Sequence, residues 1–114
     1  MTLRELRCLF TLLKARLVIW INQQGWQVAS GEGYVALSDP VPHRGPHKKN
    51  GGHYSGLAED LLLYVNGVYI TNSHAPQWVA IGAEWKSYHP LCRWGGDFHN
   101  VDGNHISLEY QGVA

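Results

Sequence analysis

LAEDLLLYVNGVYI, residues 57–70, decides the fold of this chain. Apolar residues stand on both sides of Asn66-Gly67, and Asn-Gly is the strongest short signal for a two-residue hairpin turn. The stretch therefore predicts two antiparallel strands joined at that dipeptide. One residue conflicts with this pattern. Asp60 places a carboxylate in an otherwise apolar strand, where a charge is costly unless it is paired or bound to a metal.

Helices are predicted on both sides of this hairpin in the sequence. In residues 3–23, apolar side chains recur every three or four positions, which places them on one helical face: Leu3, Leu6, Phe10, Leu13, Leu17 and Ile21. Thr2 and Glu5 have the spacing of a capping box, and Gly25 is a typical helix terminator. Residues 74–88 show the same periodicity in Trp78, Ile81 and Trp85. Pro76 suits an early position of this second helix.

Further strands complete the predicted sheet. Residues 26–37, WQVASGEGYVAL, indicate a strand or one arm of a hairpin, and Ile106, Leu108 and Tyr110 alternate as in a strand. Residues 38–52 contain three prolines and three glycines and predict a loop that faces the substrate. The pattern predicts an α+β fold, with an antiparallel sheet and flanking helices, in a single domain over residues 1–114.

Composition excludes several classes of function. Nine basic and nine acidic residues give a net charge of zero, so the chain lacks the electrostatic footprint of a nucleic-acid-binding protein. No apolar run reaches the ~18 residues of a membrane span. Basic residues interrupt the N-terminal apolar stretch, which predicts no signal peptide and favours a core-packing helix over a membrane-surface helix.

Cys8 and Cys92 are predicted to be two free buried thiols, with a disulfide as the alternative.

Two pairs of residues are candidates for a metal site. His53 precedes Asp60, and Asp102 precedes His105. Three protein ligands, here His53, Asp60 and His105, would leave a fourth zinc position open for water, as in catalytic sites. A carboxylate beside that water, here Asp102, can take its proton and pass it to a leaving amine. From spacing alone, the competing interpretation is that both histidines are surface or core residues.

The wider sequence around these pairs resembles a known family. HYSGLAEDL at 53–61 resembles the H-x-x-G-x-A-x-D motif of the zinc D,D-carboxypeptidase and L-alanyl-D-glutamate endopeptidase family. RWGGDF at 93–98 and DGNHISLE at 102–109 are similar to its second signature, WGG followed by an acidic residue and a histidine. The resemblance is to the small phage endolysins of that family. It implies a hedgehog/DD-peptidase-like fold.

The resemblance also implies roles for individual residues. His53, Asp60 and His105 match the Zn²⁺ ligands of the family, and Asp102 matches its catalytic acid or base. Gly56 and Ala58 match small residues that let the ligand-bearing turn pack tightly. Trp94 belongs to the WGG word, which shapes the wall of the cleft.

The chain departs from the family at the first strand. Many members have a Tyr-Arg pair there, and this chain has Tyr34 followed by valine. The candidates to replace the missing arginine lie in the adjacent loop: Arg44, His47, Lys48 and Lys49. We therefore take Trp94, Tyr34 and His47 as the predicted substrate-binding residues. Glu59, beside Asp60, is predicted to point to the opposite face of the strand and to be solvated.

These observations predict a zinc-dependent peptidoglycan peptidase, an endolysin that cuts L-Ala–D-Glu or a D-Ala bond in the stem peptide. It would be a monomer that waits in the host cytoplasm until a holin releases it to the periplasm and cell wall. It would bind neither nucleic acid nor membrane. The alternatives are a non-catalytic, zinc-stabilised cell-wall-binding protein and a D-Ala-D-Ala dipeptidase or carboxypeptidase.

Overall fold

The computed structural model describes residues 1–31 and 55–114. Within these residues, two helices and a five-stranded antiparallel sheet give the α+β class predicted from the sequence. The predicted loop at 38–52 and the second half of the predicted strand at 26–37 lie outside the described residues. The elements are, in chain order, α1 (Leu3–Gln23), β1 (Gln27–Ser30), β2 (Ala58–Val65), β3 (Val68–Tyr69), α2 (Pro76–Tyr88), β4 (Cys92–Trp94), a 3-10 helix (Gly95–Asp97) and β5 (His105–Leu108).

Strand β2 organises the sheet. The strand order is β1-β2-β5-β4, and β3 also pairs with β2. Tyr64 lies opposite both Gln27 of β1 and Tyr69 of β3, so these two strands lie on opposite edges of β2. Asn66 and Gly67 both have positive φ, 51° and 78°, as a type I′ turn requires. The predicted hairpin is confirmed.

The two faces of β2 have different environments. Leu61 and Leu63 are 1% and 0% exposed and face the helices, while Asp60, Leu62 and Tyr64 alternate with them and are half-buried. The hydrophobic core on the helical face is formed by side chains of α1, α2 and the strands. Asp60 therefore lies on the face of β2 that the core does not occupy.

Helix α1 forms as the sequence predicts. The Glu5 amide donates to Thr2 Oγ1 at 3.1 Å, and the Thr2 amide donates to Glu5 Oε1 at 2.9 Å, which completes the capping box. The chain leaves the helix through Gly25 at φ +85°. Five of the predicted apolar residues are buried, so α1 is a core-packing helix: Leu6, Phe10, Leu13, Leu17 and Ile21. Within residues 1–31 and 55–114, no helix is both long and apolar enough to span a membrane.

Tryptophans of α2 tie this helix to the sheet. Trp78 Nε1 donates to the carbonyl oxygen of Ile70 at 2.9 Å. Trp85 Nε1 lies 3.0 Å from the Arg93 oxygen and 3.1 Å from the Ser107 oxygen, which joins α2 to both β4 and β5. Both indole rings are buried, and the hydrogen bonds satisfy their polar atoms. The predicted periodicity of α2 is confirmed.

The C-terminal strand differs from its prediction. The predicted strand is confirmed at Ile106 and Leu108, but β5 ends at Leu108, so its predicted extension to Tyr110 is wrong. All four residues of β5 are buried, so its burial does not alternate. The reason is that β5 lies inside the sheet, between β2 and β4. Strand β4 was not predicted, because three residues are too few to show a period.

The two cysteines are free. Cys8 is exposed on α1, and Cys92 is buried in β4. Burial raises the pKa of the Cys92 thiol to about 11, so this thiol stays protonated at neutral pH. The prediction that both thiols are free is confirmed. The prediction that both are buried is correct for Cys92 and wrong for Cys8.

Glu59 is buried, so its prediction as a solvated residue is wrong. Its side chain does point away from that of Asp60, but the opposite face of β2 is covered by α1. Glu59 lies opposite Ile106 in the register and is 7% exposed. Its carboxylate forms an ion pair with Lys14 and accepts a hydrogen bond from Ser30. These partners compensate the charge that burial would otherwise penalise.

We expect Lys14→Met to lower the free energy of unfolding by about 2 kcal/mol, because Glu59 would stay buried with its charge unpaired. Urea denaturation measures this loss. Lys86→Met is the matched control. Its partner Asp97 is exposed, so we expect a change below about 0.5 kcal/mol. Equal losses in the two variants would contradict a buried Lys14–Glu59 pair.

Candidate metal centre

Two neighbouring strands bring Asp60 and His105 together. The residues are direct partners in the antiparallel register of β2 and β5. His105 Nδ1 and Asp60 Oδ1 are 3.3 Å apart. The His105 side chain is 8% exposed, and that of Asp60 is 30% exposed. The sheet register therefore fixes the separation of these two predicted ligands.

Asp102 completes a group of three. It lies in the turn that leads into β5, where its carbonyl oxygen accepts a hydrogen bond from the His105 amide at 3.1 Å. Asp60, Asp102 and His105 each offer one ligand atom, and these atoms lie within 4.8 Å of one another. Asp102 is exposed, whereas His105 is buried. Three residues predicted from two separate motifs thus converge at one place.

The remaining predicted site residues in the first half of the chain, His53, Tyr34 and His47, lie outside the described residues and stay predictions. The described chain resumes two residues after His53. There Arg7 Nε donates to the Ser55 carbonyl oxygen at 2.6 Å, which attaches the turn to α1. Gly56 has φ +77°, a conformation that L side chains rarely adopt, so the turn before β2 favours glycine.

Gly95 sets the position of the turn that carries Asp102. The Asp102 amide donates to the Gly95 oxygen at 2.9 Å. A Cβ on Gly95 would overlap the Asp102 carbonyl oxygen and would lie 2.8 Å from His105 Cβ. Only glycine allows the backbone of the WGG word to approach both site residues this closely.

Trp94 also holds the turn that carries Asp102. Its Nε1 donates to the Gly103 carbonyl oxygen at 2.7 Å, and the side chain is buried. A Cβ on Gly82 of α2, or on Gly96, would overlap the indole ring. The predicted contribution of Trp94 to the cleft wall stays a prediction, since Trp94 is not among the residues that line the cleft described below. Its predicted contact with substrate stays a prediction.

Two residues near the site were missed by the sequence analysis. The ring of Phe98 packs on the imidazole of His105, with 5.3 Å between centroids and 55° between planes. Asn104 Nδ2 donates to the Leu61 carbonyl oxygen at 3.1 Å, which joins the turn to β2. Both residues lie within or beside the recognised motifs, but their contacts depend on strands brought together over long range.

The donor set suits a divalent metal ion. Two carboxylates and one imidazole are ligand types that zinc accepts. Magnesium and calcium prefer oxygen ligands alone, so His105 favours a transition metal. The carboxylates of Asp60 and Asp102 also place two negative charges in a small volume, which a cation would neutralise.

A cleft adjoins this group. It has a volume of ≈ 120 Å³. Asp102 belongs both to the candidate metal group and to the lining of this cleft. The other lining residues are Leu61, Tyr69, Ile70, Thr71, Ser73 and Asn104.

No protein-family model matches the sequence, and no curated protein matches it either.

Proposed function

We propose that this protein is a zinc-dependent peptidoglycan peptidase with a hedgehog/DD-peptidase-like fold. The observation that carries the proposal is the convergence of Asp60, Asp102 and His105 within 4.8 Å. These residues come from the two motifs whose combination resembles the zinc peptidase family. The α+β fold with its antiparallel sheet agrees with that assignment.

Asp60, His105 and His53 would hold the zinc ion. Asp60 and His105 suit this role, since both project from paired strands of the sheet and their separation is set by the register. A zinc ion bound there would polarise the scissile carbonyl and lower the pKa of a water molecule toward ~7. Phe98, packed on the imidazole, would hold the ring of His105 in its orientation.

Asp102 would act as the general base and acid. Its side chain is exposed, so it can contact substrate and solvent, and it lies beside the two more buried ligands. As a base, its carboxylate would take a proton from the attacking water. As an acid, it would give that proton to the amine nitrogen that leaves when the peptide bond breaks.

The proposed substrate is the stem peptide of peptidoglycan, and the proposed bond is L-Ala–D-Glu or one that involves D-Ala. The biological role would be lysis of a host cell by an endolysin. The protein would leave the host cytoplasm through a membrane opened by a holin and act on the cell wall.

Removal of zinc with a chelator is expected to abolish hydrolysis and to lower the melting temperature by about 10 °C. Zinc at 100 times its Kd adds about 2.7 kcal/mol of stability. For a domain of this size each kcal/mol shifts the melting temperature by about 4 °C. Calorimetry measures the shift, and the release of new amino groups from purified peptidoglycan measures hydrolysis.

His105→Ala is the control for this experiment. The variant should show neither zinc-dependent stabilisation nor hydrolysis. Zinc-dependent stabilisation of the wild type without release of amino groups would favour the non-catalytic wall-binding protein. A wild type that neither binds zinc nor hydrolyses peptidoglycan would contradict the proposal.

A further inference from the structure

Helix α1 has a second apolar surface, on the side that faces solvent. The side chains on one face of the helix are buried in the core, and on the opposite side Cys8, Leu12, Ala15 and Ile19 are exposed. Leu12 and Ile19 are 61% and 60% exposed. We call these four residues the outer stripe. Single exposed apolar side chains are common on protein surfaces, but these four lie in one line along the helix.

The spacing of the outer stripe is that of a coiled-coil seam. Its residues are separated by four, three and four positions. This is the a/d spacing that keeps apolar side chains facing a second helix. Large and small side chains also alternate along the stripe: Leu12 and Ile19 are large, whereas Cys8 and Ala15 are small. The stripe extends over about 16 Å of helix, or about three turns.

An antiparallel pair of α1 helices would match these sizes. With the twofold axis at the middle of the stripe, Leu12 faces Ala15 of the partner subunit, and Ile19 faces Cys8 of the partner subunit. Each contact joins a large side chain to a small one, which lets facing positions interdigitate without voids. A parallel pair would place each residue against its own copy, so that crowded layers would alternate with poorly filled ones.

The basic residues of α1 do not form a charged surface around the stripe. Arg7 donates to a carbonyl oxygen in the turn before β2, and Lys14 forms an ion pair with Glu59. The Arg16 guanidinium lies 4.3 Å from the ring centroid of Tyr88. Helices that bind anionic membranes have free Lys and Arg side chains on their polar face. The outer stripe therefore suits a protein partner better than a lipid surface.

The outer stripe and the metal group lie on opposite sides of the molecule. Helix α1 covers the face of β2 that carries Leu61 and Leu63, whereas Asp60 lies on the other face. The stripe is on the side of α1 that points away from the sheet. A pair joined through α1 would therefore leave the metal group of each copy accessible.

We propose that the outer stripe is a self-association surface, on which a second copy of this chain packs its own α1 in the antiparallel direction. The inference does not depend on the proposed peptidase function, and it replaces the monomer expected from the sequence. Even the full 21-residue helix offers a contact only about 31 Å long and about 10 Å wide. This is below the ≈ 800 Å² per partner of a standard interface, so the dimer is weak and reversible.

Sedimentation velocity under reducing conditions tests the association. The average mass of the wild type should rise toward that of a dimer between about 10 µM and about 1 mM, the range of weak, transient interfaces. Leu12→Glu should raise the dissociation constant at least about tenfold, because it would place an unpaired carboxylate in the interface. Val79→Glu is the matched control, since Val79 is 49% exposed on α2, and it should associate as the wild type does. Circular dichroism checks that both variants keep their helices.

Disulfide cross-linking tests the direction of the helices. In Ile19→Cys the new thiol would face Cys8 of the partner subunit. Mild oxidation should then give a covalent dimer at least about tenfold faster than in the wild type, because residues held in one complex meet at a high effective concentration. In the wild type Cys8 is the exposed thiol, and its two copies would lie about 16 Å apart along the helices, which is beyond the reach of a disulfide. Val79→Cys controls for the added exposed thiol and should cross-link as slowly as the wild type.

Several outcomes would overturn the inference. A wild type that stays monomeric at every concentration would do so, as would equal dissociation constants for the wild type and Leu12→Glu. Oxidation of Ile19→Cys no faster than that of the wild type would contradict the antiparallel packing. Binding of the wild type, but not of Leu12→Glu, to anionic lipid vesicles without self-association would show that the stripe binds a membrane instead. None of these outcomes depends on hydrolysis, so the proposed function would stand.

Discussion

Asp102→Asn is expected to lower kcat by about 10²–10⁴-fold, the usual contribution of a positioned general acid or base. Asparagine has the same shape as aspartate but cannot take a proton from water. The backbone contacts that Asp102 makes with Gly95 and His105 do not involve its side chain, so the turn should keep its conformation. Zinc affinity should change much less than kcat. Steady-state kinetics on a stem peptide and zinc titration measure the two effects.

Asp97→Asn is the matched control for this variant. Asp97 is an exposed carboxylate in the same connection between β4 and β5, and its partner is Lys86 of α2. Its loss should leave kcat within about twofold, since a surface ion pair contributes less than ~1 kcal/mol. If Asp102→Asn instead loses zinc along with activity, Asp102 is a metal ligand and another group must move the proton. Full activity in Asp102→Asn would contradict its catalytic role.

Gly95→Ala is expected to destabilise the protein by about 3 kcal/mol, at the upper end of the range for overpacking. The added methyl group would meet the backbone oxygen of Asp102 and the Cβ of His105, and neither can move as the end of a flexible side chain does. A shift of Asp102 or His105 that relieves the overlap would change their positions relative to Asp60. Zinc affinity should therefore fall at least about tenfold, as when groups that orient metal ligands are changed.

Gly112→Ala controls for the general effect of replacing a glycine. Gly112 has φ +76°, and a Cβ there would meet no atom within 4 Å. The substitution should lower the free energy of unfolding only by the cost of the left-handed backbone conformation, about 1–2 kcal/mol. The zinc affinity of this variant should equal that of the wild type. Chemical denaturation measures the stability of both variants, and zinc titration measures their zinc affinity. Equal zinc affinity in Gly95→Ala and Gly112→Ala would show that Gly95 does not position the site.

The local elements of the fold could be predicted from the sequence. Helical periodicity in α1 and α2, the capping box at Thr2 and the Asn66-Gly67 turn all depend on residues a few positions apart, and all are confirmed. Strand β4 was missed because it is short. The error at Glu59 has a different cause. Alternation gave the direction of its side chain, but the covering of that face by α1 depends on contacts distant in sequence.

In the candidate site, too, local features could be predicted from the sequence and long-range contacts could not. The residue types and spacing made Asp60, Asp102 and His105 candidates, and the resemblance of the two surrounding motifs to the peptidase family selected them. Their approach to one another depends on the register of β2 against β5, which no local pattern specifies. The cleft beside Asp102 also could not be predicted, because it lies between segments that follow β3 and precede β5.

The neighbouring acids Glu59 and Asp60 link the sheet register to the proposed metal site. A slip of β2 by one residue would exchange the faces of its side chains, so that Glu59 faced His105 and Asp60 faced α1. The Lys14–Glu59 pair opposes this slip, because the slip would move Glu59 away from the face of the sheet on which Lys14 lies. An ion pair on the helical face of the sheet thereby selects which carboxylate is presented on the other face. Zinc affinity would then report whether β2 had paired in the correct register during folding.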